Sequence, residues 1–289
     1  MPCGWRVATS LSAPAPKPTG FPHDYVRWTD GPAPDERPPV VLVGEILAGG
    51  AAWRQHAGAL APHWRVGTVT PVVTALAGEG HRPPEGWRIP DEAESLLRLL
   101  DAEGITQAHL GGWSLGGTVA LELAMAHPER VRSLLLVEAQ AWWLYAGQPG
   151  RPAWYEAMRE RFGHFHVERV EEEHVARFLH HVGAVPEHED PRESRGWRLA
   201  NANRNALPFS WWVITHTGDP ARLDRLTMPV LVVHGDATTP YDASMSADLA
   251  RRIPGAQRLV LEGMHTSHIA SFDAFMAAYI PFITRAETP

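Results

Sequence analysis

A chain of 289 residues with 44% hydrophobic side chains can bury a large core, and its formal charge of -7 argues against a nucleic-acid surface. Its one cysteine, Cys3, excludes an internal disulfide framework and fits a reducing, cytoplasmic setting, and no apolar run approaches the length of a membrane span. Residues 1–20, rich in Pro, Ala and Ser, lack the basic start and continuous apolar stretch of a signal peptide and read as a disordered tail.

In chain order, residues 24–31 predict a short strand closed by a turn. The β-branched run at 39–43 predicts a buried strand, and Gly49-Gly50 leads into a helix over about 52–60. Residues 64–69 predict the next strand, ended by Pro71. A polar loop full of Gly and Pro is expected to Pro90, then a helix over 91–101 that buries Leu96, Leu97, Leu99 and Leu100. A short strand at 107–111 and a helix at 115–126 follow. Strands at 131–137, 230–233 and 258–261 and helices at about 243–252 and 271–284 complete the pattern. Strands alternating with helices predict an α/β fold, a mostly parallel sheet with helices on both faces. One stretch breaks the alternation. Residues 142–225 show helical patterns and no convincing strand, so they predict a helical cap inserted into a core made of 21–141 and 226–289.

Gly112-Trp113-Ser114-Leu115-Gly116 lies between a predicted strand and a predicted helix. A Gly-x-Ser-x-Gly turn in that place is a nucleophile elbow. Its glycines permit a sharp bend and a close approach of strand and helix, and the helix N-terminus favours negative charge beside the serine.

From about residue 25 to 282, the order of these motifs resembles the α/β-hydrolase superfamily in its serine-nucleophile branch. The stretch from Gly111 to Gly117, with His127-Pro128-Glu129-Arg130-Val131, is similar to small esterases and carrier-protein thioester or methyl-ester hydrolases. The resemblance implies that Ser114 is the nucleophile. It implies that His265, in Gly263-Met264-His265 after the last strand, is the base. His268, three residues on, is the other candidate.

The acid departs from the pattern. The usual aspartate, three residues beyond Gly235, is Thr238 here, and a threonine supplies no negative charge. Two carboxylates could substitute. Asp236 lies two residues early in the same loop. Glu138 ends the 131–137 strand, and Glu138-Ala139-Gln140-Ala141 resembles haloalkane dehalogenases and related luciferases, which carry their acid there. The other reading of Glu138 is a capping or salt-bridging residue at the cap hinge. Those dehalogenases attack with an aspartate, so a serine at the elbow points instead to acyl transfer.

The expected oxyanion donors are the backbone amides of Leu115 and Glu45, the latter in Val43-Gly44-Glu45 where the family often shows His-Gly. The Glu45 side chain could repel anions, bind a substrate hydroxyl or amine, or form a salt bridge. The aromatic-rich cap, beginning at Trp142 and Trp143, places these two residues with Trp113 as candidate walls of the substrate cleft. Such walls favour a greasy or aromatic acyl group, polyketide-like chemistry of secondary metabolism included. His164, His166, His174, His180, His181 and His188 lack a second ligand cluster at metal spacing, so no metal or other cofactor is expected.

The leading expectation is a serine hydrolase cleaving an ester or thioester of a small-molecule or carrier-bound acyl substrate, with no nucleic-acid or membrane partner. The alternatives keep the site but redirect it to acyl transfer, cyclisation or carbon–carbon cleavage, or to non-covalent binding or cyclisation.

Overall fold

Seven short strands, most of them runs of Val and Leu, pair into one sheet in the order β1-β3-β2-β4-β5-β6-β7. They are β1 (Val26–Thr29), β2 (Val40–Val43), β3 (Val66–Val69), β4 (Ala108–Trp113), β5 (Val131–Val137), β6 (Val230–Gly235) and β7 (Gln257–Leu261). The structure is a computed structural model that describes residues 25–29, 37–148 and 150–288. The expected tail at 1–20 lies outside the described residues, as do residues 24, 30 and 31 of the first expected strand. Among these seven strands, β1 pairs with β3 antiparallel and the remaining pairings are parallel.

The inner strands are buried along almost their whole length, which is why β2 and the stretches 134–137 of β5 and 230–233 of β6 read as apolar runs rather than alternating ones. Alternate residues still serve different cores. Val40, Leu42, Leu135, Val137 and Val233 pack on one face, and Val41, Val43, Leu110, Leu134, Leu136 and Val232 on the other. The first face is covered by α1 (Arg54–Leu60) and, at the chain's end, by a long helix carrying Phe275, Tyr279 and Phe282. The second is covered by helices that the chain meets in between.

A helix stands where a polar loop was expected. Residues 71–90, read as loop, contain α2 (Val72–Gly78). Its first amides, Val72 and Val73, donate to the carboxylate of Glu92 at 2.9 Å each, and the Trp87 indole N–H donates to the same group at 2.9 Å. Glu92 belongs to the next helix, α3 (Ile89–Ala102). The cap of α2 therefore comes from about 20 residues away, where no local capping signal records it.

The helices α4 (Leu115–Ala126) and strand β5 coincide with their expected bounds, whereas the expected helix over 52–60 opens with a 3-10 turn at Gly50–Trp53. Between β5 and β6 come α5 (Trp154–Gly163), α6 (Glu172–His181), α7 (Trp197–Ala202) and α8 (Ser210–Ile214), with no strand among the described residues. After β6 come α9 (Pro240–Arg252), α10 (Ser267–Ala270) and α11 (Phe272–Glu287). The α5–α8 segment is tied to the sheet layer by directed bonds. The Asn203 amide donates to the Leu47 carbonyl at 2.7 Å, and the Tyr241 hydroxyl donates to the His181 carbonyl at 3.2 Å. No helix among the described residues is long and apolar enough to cross a membrane.

Candidate active site

The turn from β4 to α4 is sharp because two glycines allow it. A Cβ on Gly112 would come within 2.2 Å of the Gly116 carbonyl, and one on Gly116 within 2.2 Å of the Val43 carbonyl oxygen. Ser114, at the tip, has φ 54 and ψ -117. Its amide donates to the Val137 carbonyl at 2.9 Å, which fixes the turn against β5. Leu115 opens α4, so its amide has no acceptor within the helix.

His265 follows β7 in a loop held from two sides. Its amide donates to the Gly183 carbonyl at 3.1 Å, just past α6, and its carbonyl accepts the Trp113 indole N–H at 3.1 Å. Its Nδ1 lies 2.5 Å from Glu138 Oε2. Glu138 is fully buried at the end of β5 and, with Ser114, is one of two non-glycine residues at positive φ among the described residues. Its carboxylate has two further donors. The Gly235 amide donates to Oε1 at 2.9 Å and the Thr238 hydroxyl donates to Oε2 at 2.9 Å. The threonine standing where an aspartate was expected thus orients the glutamate from the adjacent strand. Asp236 goes elsewhere: it is exposed, and its Oδ1 accepts the Gly263 amide at 2.9 Å.

A second carboxylate went unnoticed in the sequence. Asp242, on α9, is buried with Oδ2 3.7 Å from His265 Nδ1. It accepts a hydrogen bond from the Gln140 side-chain amide and another, at 2.7 Å, from the Thr239 hydroxyl. Thr239 also caps α9 by accepting the Asp242 amide at 3.2 Å. Thr-Pro-Tyr-Asp before a helix is a capping-box pattern, so the sequence signal for Asp242 is one of helix capping and conceals its second neighbour. Burial and the nearby Glu138 push Asp242 up to about 7. Burial alone would lower the His265 imidazole. The carboxylates around it, Glu138 foremost, then Asp242 and Glu45, outweigh that and raise it to about 9.

His268 faces a different environment. Its ring is fully buried behind Trp113, 4.7 Å between centroids, and stacks near His56. Burial, with His56 and His265 adding, drives it well below its ordinary value, and it borders neither cavity at Ser114.

The Glu45 carboxylate folds back onto its own loop, accepting the Leu47 amide at 2.7 Å and the Ala48 amide. It has no ion pair among the described residues, so its side chain closes the turn after β2. Burial pushes it up and the two amides hold it down in part.

Two cavities meet at Ser114. The larger, about 570 Å³, is also lined by Glu45, Trp113 and His265, with apolar walls from Leu47, Phe178, Leu179 and Val182. The smaller, about 30 Å³, lies on the Ile46 and Leu115 side. Trp142 and Trp143, expected at the cleft, border neither. Trp142 is fully buried among Trp154, Tyr155, Phe162 and Tyr241, with its N–H donated to Gln140 at 2.8 Å. Trp143 is covered by the backbone at Gly218. Large indoles at the start of an apolar segment found more contact inside it than at its surface.

The histidines between 164 and 188 do not converge; His181, for instance, is enclosed by Phe162, Phe165 and Tyr241. Among the described residues, the one group of donors close enough to hold a cation is Glu138, Asp242 and His265, within 4.8 Å of one another. The Glu138 oxygens there already accept protein donors.

Comparison with known proteins identifies the fold. The profile of the alpha/beta hydrolase fold family matches residues 38–274. A pimeloyl-[acyl-carrier protein] methyl ester esterase of Aeromonas hydrophila is 29% identical over 234 residues, covering 78% of this chain and 87% of that protein. A protein of Pantoea ananatis named "Putative carbamate hydrolase RutD" is 27% identical over 254 residues, covering 85% of this chain and 88% of its own. The crystal structure of a hydrolase from Pseudomonas aeruginosa PA01 superposes with a TM-score of 0.72 at 28% identity, covering 89% and 93% of the two chains. The chain belongs to the α/β-hydrolase fold family and is a hydrolase.

Proposed function

We propose that this hydrolase cleaves an ester or thioester of a small hydrophobic or aromatic substrate through an acyl-enzyme on Ser114. The observation that carries this reading is the Nδ1–Oε2 contact of 2.5 Å between His265 and Glu138, with His265 lining the same cavity as a serine at a sharp strand-to-helix turn. Ser114 Oγ attacks the carbonyl carbon as His265 Nε2 takes its proton. Glu138 holds the other ring nitrogen and stabilises the imidazolium. The Leu115 and Glu45 amides receive the oxyanion. Collapse breaks the bond to the leaving oxygen or sulfur, which takes the proton from His265. Water, deprotonated by the same ring, then releases the acid and restores the serine.

The esterase and carbamate-hydrolase names of the relatives support attack at a carbonyl joined to a heteroatom. The apolar walls of the larger cavity, with Leu199 and Ile269 exposed at its edge, support a hydrophobic substrate body. A fluorophosphonate probe tests the reading. It labels the native protein at Ser114, and Ser114→Ala abolishes both labelling and ester turnover. A Ser114→Ala protein with full activity would remove the proposal.

A further inference from the structure

The small compartment beside Ser114 has one unspent polar side chain besides the nucleophile. Ser210, the first residue of α8, is 4% exposed, and its hydroxyl has no hydrogen-bond partner among the described residues. Gln140 also lines the compartment, but its amide is used up by Glu138, Asp242 and Trp142. Ser246, Ser267 and Tyr279 are buried hydroxyls likewise without partners, yet none of them borders a cavity at Ser114. A buried donor and acceptor left unspent beside a nucleophile is a place for a ligand atom.

The two compartments are unequal, and the catalytic histidine chooses between them. His265 lines the 570 Å³ cavity and does not line the 30 Å³ one. The group that returns a proton to the leaving atom must lie within hydrogen-bond reach of it. The leaving alcohol or thiol therefore occupies the large cavity, and the acyl substituent points the other way, past Leu115. Phe178 and Val182 line both spaces and form the wall between them. A space of this size holds about one water molecule, or roughly two non-hydrogen atoms of an acyl group.

We infer that this compartment is the acyl subsite and that Ser210 makes it select a short acyl group bearing a hydrogen-bonding atom, as in a 2-hydroxyacetyl ester, on a large apolar leaving group. The inference rests on the proposed acyl-enzyme function. Ser210 is then a specificity residue, acting on the substituent and not on the reacting carbonyl.

The test uses 4-nitrophenyl esters and the full chain. For the native protein, kcat/KM falls about tenfold or more between propionate and hexanoate. The 2-hydroxyacetate exceeds its isostere propionate by about tenfold. Ser210→Ala brings that ratio close to one. Phe178→Ala, which opens the wall, restores hexanoate relative to propionate. Equal handling of acetate and hexanoate by the native protein overturns the inference, and so does a hydroxyacetate preference that survives in Ser210→Ala. Those results in a protein still labelled at Ser114 leave the hydrolase reading standing. Absence of both labelling and turnover overturns the two together.

Discussion

The ends of β5 and β6 lie side by side, in parallel register with Val137 opposite Val233, and they have exchanged chemical roles. At the end of β5 a buried carboxylate meets the His265 ring. At the end of β6, the place of the usual acid, a hydroxyl and a backbone amide donate to that same carboxylate. On the proposed mechanism, the imidazole needs a negative charge at one point in space, and either strand end could deliver it. What the neighbouring loop must then supply is donors, because a buried carboxylate without them is costly.

The largest test of this exchange removes the charge. Glu138→Gln should lower kcat/KM by about 10³ to 10⁴, the scale seen when a triad acid loses its charge but keeps its shape. Adding Thr238→Asp to that variant should recover part of the loss by returning a carboxylate to β6; no recovery in steady-state kinetics would show that the two strand ends are not interchangeable. Removing one donor is milder. Thr238→Val strips Glu138 of a hydrogen bond at 2.9 Å and should cost about tenfold in kcat/KM, the equivalent of about 1.4 kcal/mol.

Asp242→Asn should act on pH dependence more than on rate. On the proposed mechanism His265 works as a base only when neutral, and with its value raised to about 9 the ring is charged below that pH, so kcat/KM should climb with pH and level off above about 9. Asp242 is one of the charges that raise the ring, so the asparagine variant should reach its plateau at lower pH. A profile from about pH 6 to about 10 that does not move would remove Asp242 from the electrostatics of the site. The smallest effect belongs to Asp236→Ala. Its carboxylate is exposed and occupied with the Gly263 amide, so activity should stay within about twofold and thermal unfolding should register only a surface change.

Parts of this arrangement were legible in the amino-acid order because their causes are local. Two glycines around a serine, between an apolar run and a helical pattern, specify the turn at Ser114. Unbroken Val and Leu runs specify strands covered on both faces. Other parts have causes far away in the chain. The helix α2 depends on Glu92, and the choice between Glu138 and Asp236 depends on which of two adjacent loops turns toward His265. His265 and His268 differ by three positions and by everything around them: one ring is ringed by carboxylates, the other is shut in behind Trp113 and His56. Trp142 and Trp143 show the limit of counting aromatics, since their number says nothing about which side of a layer each will face.

The left-handed backbone at Ser114 and Glu138 has a consequence for anyone seeking a hardier version of this enzyme. For a residue with a Cβ, that conformation costs about 1–2 kcal/mol, and glycine would relieve it. Glycine at Ser114 would therefore tend to raise the melting temperature while erasing turnover, whereas at Glu138 it would strip the Gly235, Thr238 and His265 donors of their buried acceptor and lower it. Thermostabilisation should be sought in the outer helices, because at the serine bend durability and chemistry make opposite demands on the same bonds, and at the glutamate bend they cannot be separated.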